Sequence, residues 1–175
     1  MKYLALSVIS KPDTKLTYEL AKFFHSAGCN ILEARWSSLG SEGMGHYLLE
    51  GNWNAVAKLE TQISAFEKKQ AVTVLPRRVE LKEAQPDRLL YTIYLLAQDR
   101  PGIVQDVMGF LTDETVDVLD VHAYTFQARI TQAKMASLTI SLSIPAKILI
   151  SDFREHFIGF CDELNLDATL EPDKN

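Results

Sequence analysis

Residues 137–144, Ser-Leu-Thr-Ile-Ser-Leu-Ser-Ile, alternate polar and apolar without a fault. That two-residue period describes a strand with one face buried and one wet, and Pro145 fits its end. A second run of this kind spans residues 116–126, where Leu119, Val121 and Ala123 alternate with Asp120, His122 and Tyr124. Elsewhere the period lengthens. Leu16, Leu20, Phe23 and Ala27 recur at helical spacing, as do Ile103, Val107, Phe110 and Leu111. Each of these helices follows a short β-rich run, residues 3–9 or 91–97, and a proline-bearing loop. Two further helices are predicted. One begins near Asn52 or Asn54, either a fair N-cap, and turns Val56, Leu59, Ile63 and Phe66 inward. The other carries the stripe Phe153, Phe157, Cys161 and Leu164, with Asp152 and Glu155 at capping-box-like spacing. Residues 72–75 and 168–170 are the closing strands, and residues 171–175 are expected to fray.

The same order therefore occurs twice. Tyr3-Leu4-Ala5-Leu6 is echoed by Tyr91-Thr92-Ile93-Tyr94, and Gly28-Cys29-Asn30-Ile31 by Thr115-Val116-Asp117-Val118. Each half is βαββαβ, the split-βαβ pattern, which predicts an α+β protein of two ferredoxin-like domains with antiparallel sheets and helices on one face. Right-handed crossovers place both helices on that face. The other sheet face needs a cover, which a second copy of the unit could supply, from this chain or a partner. The division expected is residues 1–80, a polar linker at 81–90 containing Pro86, and residues 91–171.

Composition narrows the function classes. Hydrophobic residues make up 47% and charged residues 23% of the 175 residues, which excludes disorder as the main state. The net charge is -5, with 18 Lys+Arg against 23 Asp+Glu, and this argues against direct nucleic-acid binding. Lys68-Lys69 and Arg77-Arg78 stand near Glu67 and Glu80 and fit solvated helix and strand ends. Two distant cysteines, no leader pattern and no long apolar run suit a reduced, cytoplasmic protein away from membranes.

Catalytic constellations are missing from the pattern. His25, His46, His122 and His156 have no partner at metal-ligand spacing, so neither metal nor cofactor is expected. Cys29 is either a buried strand cysteine or a nucleophile with a distant base, and the first is favoured because a free cysteine behaves as a small hydrophobe. Asp117 and Asp120, three apart on a strand, are expected on opposite faces, which speaks against a carboxylate pair. The glycine-rich stretch 40–45 lies between two strands and fits a hairpin connection. The protein is not expected to be an enzyme.

The chemistry concentrates in Asp99-Arg100-Pro101-Gly102-Ile103-Val104, between the first strand and first helix of the second half. Pro101 suits the first helical position, and Gly102 lets a ligand or neighbouring backbone come close. Unpaired N–H groups of a first helical turn favour a small carboxylate, and Arg100 could add a bidentate contact. A tight strand-to-helix turn with no ligand accounts for the same residues equally well.

This loop, about ten residues before Thr115-Val116-Asp117-Val118, resembles the signature of ACT domains, small βαββαβ regulatory modules that bind amino acids. Residues 28–35, Leu39-Gly40-Ser41-Glu42 and residues 48–56 resemble the glycine cleavage system transcriptional repressor family, tandem-ACT proteins of about this length. That family usually carries Asp-Arg-Pro-Gly in its first domain. Here the first loop is Ser10-Lys11-Pro12-Asp13-Thr14-Lys15, without glycine, and the intact loop lies in the second half. The resemblance implies an effector site at Asp99, Arg100, Pro101, Gly102, Ile103 and Val104, joined by Asn30 and Ile31 of the first domain, with Asp117 the counterpart of Asn30. Asn30 suits an ordinary turn as well. The function implied is amino-acid sensing, for glycine or a similar amino acid, with transcription regulated by contact with a DNA-binding activator and without direct DNA binding. An allosteric subunit of an amino-acid metabolic enzyme is the alternative, and a homo-oligomer is expected in either case.

Overall fold

In a computed structural model, which describes residues 1–81 and 87–173, the chain divides into two units, Met1–Glu83 and Ala84–Asn175. The first unit contains β1 (Lys2–Ser10), α1 (Leu16–Ala27), β2 (Asn30–Leu39), β3 (Glu42–Gly51), α2 (Trp53–Gln70) and β4 (Thr73–Val79). The second repeats the order with β5 (Arg88–Gln98), α3 (Ile103–Asp113), β6 (Asp117–Gln127), β7 (Lys134–Pro145), α4 (Ile150–Glu163) and β8 (Asp167–Pro172). Their sheets run β2-β3-β1-β4 and β6-β7-β5-β8, with every neighbouring pair antiparallel. Two ferredoxin-like sheets, each with two helices, are the architecture that the doubled pattern predicts.

Alternation decides which sheet face the helices cover. Leu4, Leu6 and Val8 of β1 are buried and share one core with Leu16, Leu20, Phe24 and Ala27 of α1 and with Val56, Leu59 and Ile63 of α2. Ile93, Leu95 and Ala97 do the same in the second unit, against Ile103, Val107, Leu111, Phe153 and Phe157. Phe24 rather than Phe23 is the buried phenylalanine of α1; Phe23 lies half-buried and stacks on Phe66, ring centroids 4.3 Å apart.

Chain-reversal chemistry explains the echo between the halves. Gly28 (φ 87°) ends α1 and Thr115 (φ 55°) follows α3, both left-handed, and each precedes a buried residue, Cys29 or Val116. A left-handed residue at that point lets the last helical carbonyls be satisfied while the chain turns back. Asn52 caps α2, its side chain accepting from the Ala55 N–H at 2.8 Å.

Several boundaries differ from the pattern. Helix α4 starts at Ile150 with Leu149 as its N-cap, so Asp152 lies inside the first turn and no capping box forms. Arg88, Leu89 and Leu90, assigned to the linker, open β5 opposite Pro145, Ile144 and Ser143, since backbone pairing extends past the apolar run. Linker residues 82–86 and the chain end 174–175 lie outside the described residues. Glu171 and Pro172 do not fray but pair with Thr92 and Tyr91. Among the described residues no helix is long and apolar enough to cross a membrane.

A register shift between Val118 and Asp120 marks a bulge at Leu119. Asp117 faces Ser143 and Asp120 faces Ser141, two positions apart on β7, so both carboxylates lie on one sheet face rather than on opposite faces. The extra residue reverses the parity of the strand. Arg88 donates to Asp117, which makes that carboxylate an ion-pair partner.

Candidate functional site

The loop between β5 and α3 borders an open cavity of about 390 Å³, and Asp99, Arg100, Gly102, Ile103 and Val104 line it. The cavity has a simple origin. Two helices cover the inner strands, while every residue of the edge strand β6 is exposed, including on the side where Ala123 pairs with buried Leu138 and Thr125 with buried Ala136. Small side chains on that edge leave a notch beside the start of α3. Ala136 and Leu138 form part of its lining, with Ala123, Tyr124, Thr125 and Gln105 completing the sides.

Gly102 is the N-cap of α3, at φ 94° and ψ -10°, a conformation that suits glycine. Pro101 precedes the cap instead of filling the first helical position, and it is not among the lining residues. No side chain caps the helix, so the first-turn N–H groups keep their partial positive charge at the cavity.

The two charged residues of the loop are held by other charges. Lys134 Nζ lies 2.7 Å from Asp99 Oδ2, and the Asp99 N–H donates to the Lys134 carbonyl at 2.8 Å. Arg100 donates to Asp106 Oδ2 at 2.8 Å and to the Pro101 carbonyl at 3.3 Å. A guanidinium has five N–H donors, so these contacts leave others for a ligand.

Asn30 and Ile31 belong to the first unit. Asn30 opens β2 and is no turn residue; its Nδ2 donates to Glu50 Oε1 at 3.3 Å. Ile31 packs half-buried against the first core. Cys29 and Cys161 are buried, and burial pushes both thiols up, that of Cys161 to about 11 with help from Asp162. Neither is an activated nucleophile.

The first unit treats the corresponding place differently. Leu16 and Ile103 begin the two first helices, and Trp36 pairs with Gly45 opposite Val8 where Ala123 pairs with Leu138 opposite Leu95. A Cβ on Gly45 would sit 2.5 Å from the Trp36 ring, and one on Gly43 2.8 Å from it. The indole lies flat on two glycines. Gly43 and Gly45 are thus β3 residues that accept a ring, and the hairpin connection shrinks to Gly40 and Ser41. Periodicity places Ala123 and Leu138 on strands, but it does not show that they and Ala136 face the loop or that Trp36 fills the matching place in the first unit. The visible signal was a tryptophan in one strand and alternate glycines in the next, whose meaning depends on register.

No family model matches the chain. It is 20% identical over 168 residues to the glycine cleavage system transcriptional repressors of Escherichia coli (strain K12) and Shigella flexneri, covering 96% of this chain and 88% of each relative. A crystal structure provisionally named as such a repressor superposes with a TM-score of 0.76 at 18% identity, covering 99% of this chain and 98% of that one. Over nearly its whole length the chain resembles the glycine cleavage system transcriptional repressors, and it shares their doubled fold. A crystal structure of an unknown protein from Galdieria sulphuraria also superposes, with a TM-score of 0.77 at 16% identity, over 99% of both chains. At so low an identity these two likenesses are ones of fold.

Proposed function

We propose that this protein is a tandem of ACT-type units acting as a cytoplasmic amino-acid sensor, which regulates transcription by contact with a DNA-binding activator and has no catalytic activity of its own. The observation that carries the sensor role is the cavity where the Asp99–Val104 loop, the start of α3 and the edge of β6 meet. An amino-acid carboxylate suits the unpaired first-turn N–H groups and the remaining Arg100 donors, and its ammonium suits Asp99. The repressor role rests on the likeness to the named repressors, and the net charge of -5 is a reason for the partner, rather than this chain, to hold the DNA.

Thermal shift across the twenty amino acids is the first test, because a ligand at 100 times its dissociation constant adds about 2.7 kcal/mol of stability. Arg100→Ala and Gly102→Val should each weaken binding at least tenfold in calorimetry. The first removes a charge-assisted donor. The second places a branched residue at φ 94°, where strain rather than crowding acts, since the nearest atom to a Cβ there is Arg100 Nη1 at 3.7 Å. Unchanged affinity in both variants would sink the site. For the partner, capture on immobilised protein should recover a DNA-binding regulator, and the purified chain should not shift a short duplex. Recovery of a metabolic enzyme instead would replace the transcriptional role with allosteric control of that enzyme.

A further inference from the structure

The size and lining of the cavity restrict what it can hold. A glycine molecule would meet only the polar loop and leave the wall of Ala123, Ala136 and Leu138 to water. From that wall we infer that the effector carries an aliphatic side chain of about the size of leucine or valine, received by Ala123, Ala136 and Leu138. This rests on the sensor reading above and sharpens it: the α-carboxylate and ammonium belong to the loop, the side chain to the notch.

The observations behind it are geometric. Ala136 and Leu138 are 5% and 1% exposed, so they present a fixed apolar floor, whereas Ala123 and Thr125 stand on an exposed edge strand and keep the notch open. The strand side of the lining carries no carboxylate or ammonium; its polar groups are the hydroxyls of Tyr124 and Thr125, and Gln105 lines the cavity from α3. A charged side chain placed there would lose hydration without a charged partner on the strands, and an aliphatic one gains by leaving water against Ala123, Ala136 and Leu138. At about 390 Å³ the cavity has the volume of an ordinary small-ligand pocket, more than a ligand without a side chain would fill.

Comparison of the two units isolates the wall as the variable part. The positions of Ala123, Leu138 and Ala136 are held in the first unit by Trp36, Gly45 and Gly43, where an indole spreads over bare backbone. Tryptophan at position 123 could not lie flat in this way, because the side chains of Leu138 and Ala136 already occupy the layer beneath it. It would stand in the cavity.

The test uses the full chain and calorimetry with L-leucine, L-valine and glycine. Leucine or valine should bind the natural protein at least tenfold more tightly than glycine. Ala123→Trp should weaken leucine binding at least tenfold; Thr125→Ile, a smaller intrusion at the same edge, should weaken leucine binding severalfold. Both positions are exposed on an edge strand, and circular dichroism with a melting curve checks that each variant is folded. Glycine binding as tightly as leucine would overturn the inference and leave the sensor reading standing, as would leucine affinity indifferent to both variants. Binding of no amino acid at all would overturn the sensor reading and this inference with it.

Discussion

Gly45 and Trp36 show how a single residue choice is dictated by its cross-strand neighbour. An added methyl at Gly45 would overlap the indole at 2.5 Å and the Tyr47 ring at 2.8 Å, both part of a packed region with little room to give. Gly45→Ala should therefore destabilise the first unit by about 1–3 kcal/mol in chemical denaturation, the usual cost of overpacking. Combined with Trp36→Leu, much of the indole clash disappears, so the double variant should lose measurably less than the sum of the single losses. Strict additivity would mean that the ring and the glycine are not coupled. At the candidate site the sequence showed the loop plainly, because Asp-Arg-Pro-Gly is local chemistry. It could not show the floor, because Ala136 and Leu138 lie more than thirty residues away and meet the loop only through strand pairing.

Helix α4 begins without a side-chain cap, while its third helical residue is Asp152. Leu149, the N-cap, is 64% exposed with extended backbone at φ -72° and ψ 116°, a geometry that serine adopts without strain. Leu149→Ser should stabilise the second unit by about 0.5–1 kcal/mol, by satisfying a first-turn N–H group at little hydrophobic cost. A lower melting temperature would mean that Leu149 packs in a way its exposure hides. In the first unit, α2 is tied to β4 through Arg78, which donates to Glu60 from Nε at 2.9 Å and Nη2 at 2.6 Å. The hydrogen bond and charge of Arg78 hold the Glu60 carboxyl below its ordinary value. A lowered folded-state value makes the pair stabilising above the ordinary carboxylate range, with that contribution lost as pH falls through the folded-state value. Glu60→Gln should accordingly lower stability slightly at pH 7 and have no effect in acid, as urea midpoints measured from pH 7 down to pH 3 would reveal. The effect is small because both side chains are partly exposed. Element order and the inward faces were legible from periodicity. The bulge at Leu119 was not, since it is a register irregularity in a strand whose sequence still alternates, and it alone puts Asp117 and Asp120 on one face.

Each unit has its own core, and the two clusters share no residue. Phe24 in the first and Phe157 in the second are almost completely buried, so truncation to alanine should cost about 3–5 kcal/mol in either place. Hydrogen exchange resolves where the cost falls: Phe24→Ala should loosen amides of β1, β3 and α1 and spare β5 and β7, and Phe157→Ala should do the reverse. Loss of protection across both sheets from one truncation would contradict the separation of the cores.

Periodicity and local chemistry sufficed to determine two βαββαβ halves, their inward faces and the Asp99–Val104 loop, because each is encoded by residues a few positions apart. Tertiary structure decided what that loop faces: which strand positions stand opposite it, that Ala123, Ala136 and Leu138 leave a cavity, and that Trp36 lies on Gly43 and Gly45 instead. Pairing register sets those neighbours. One bulge or one change of side-chain size on a facing strand alters them while the hydrophobic pattern of the chain stays the same.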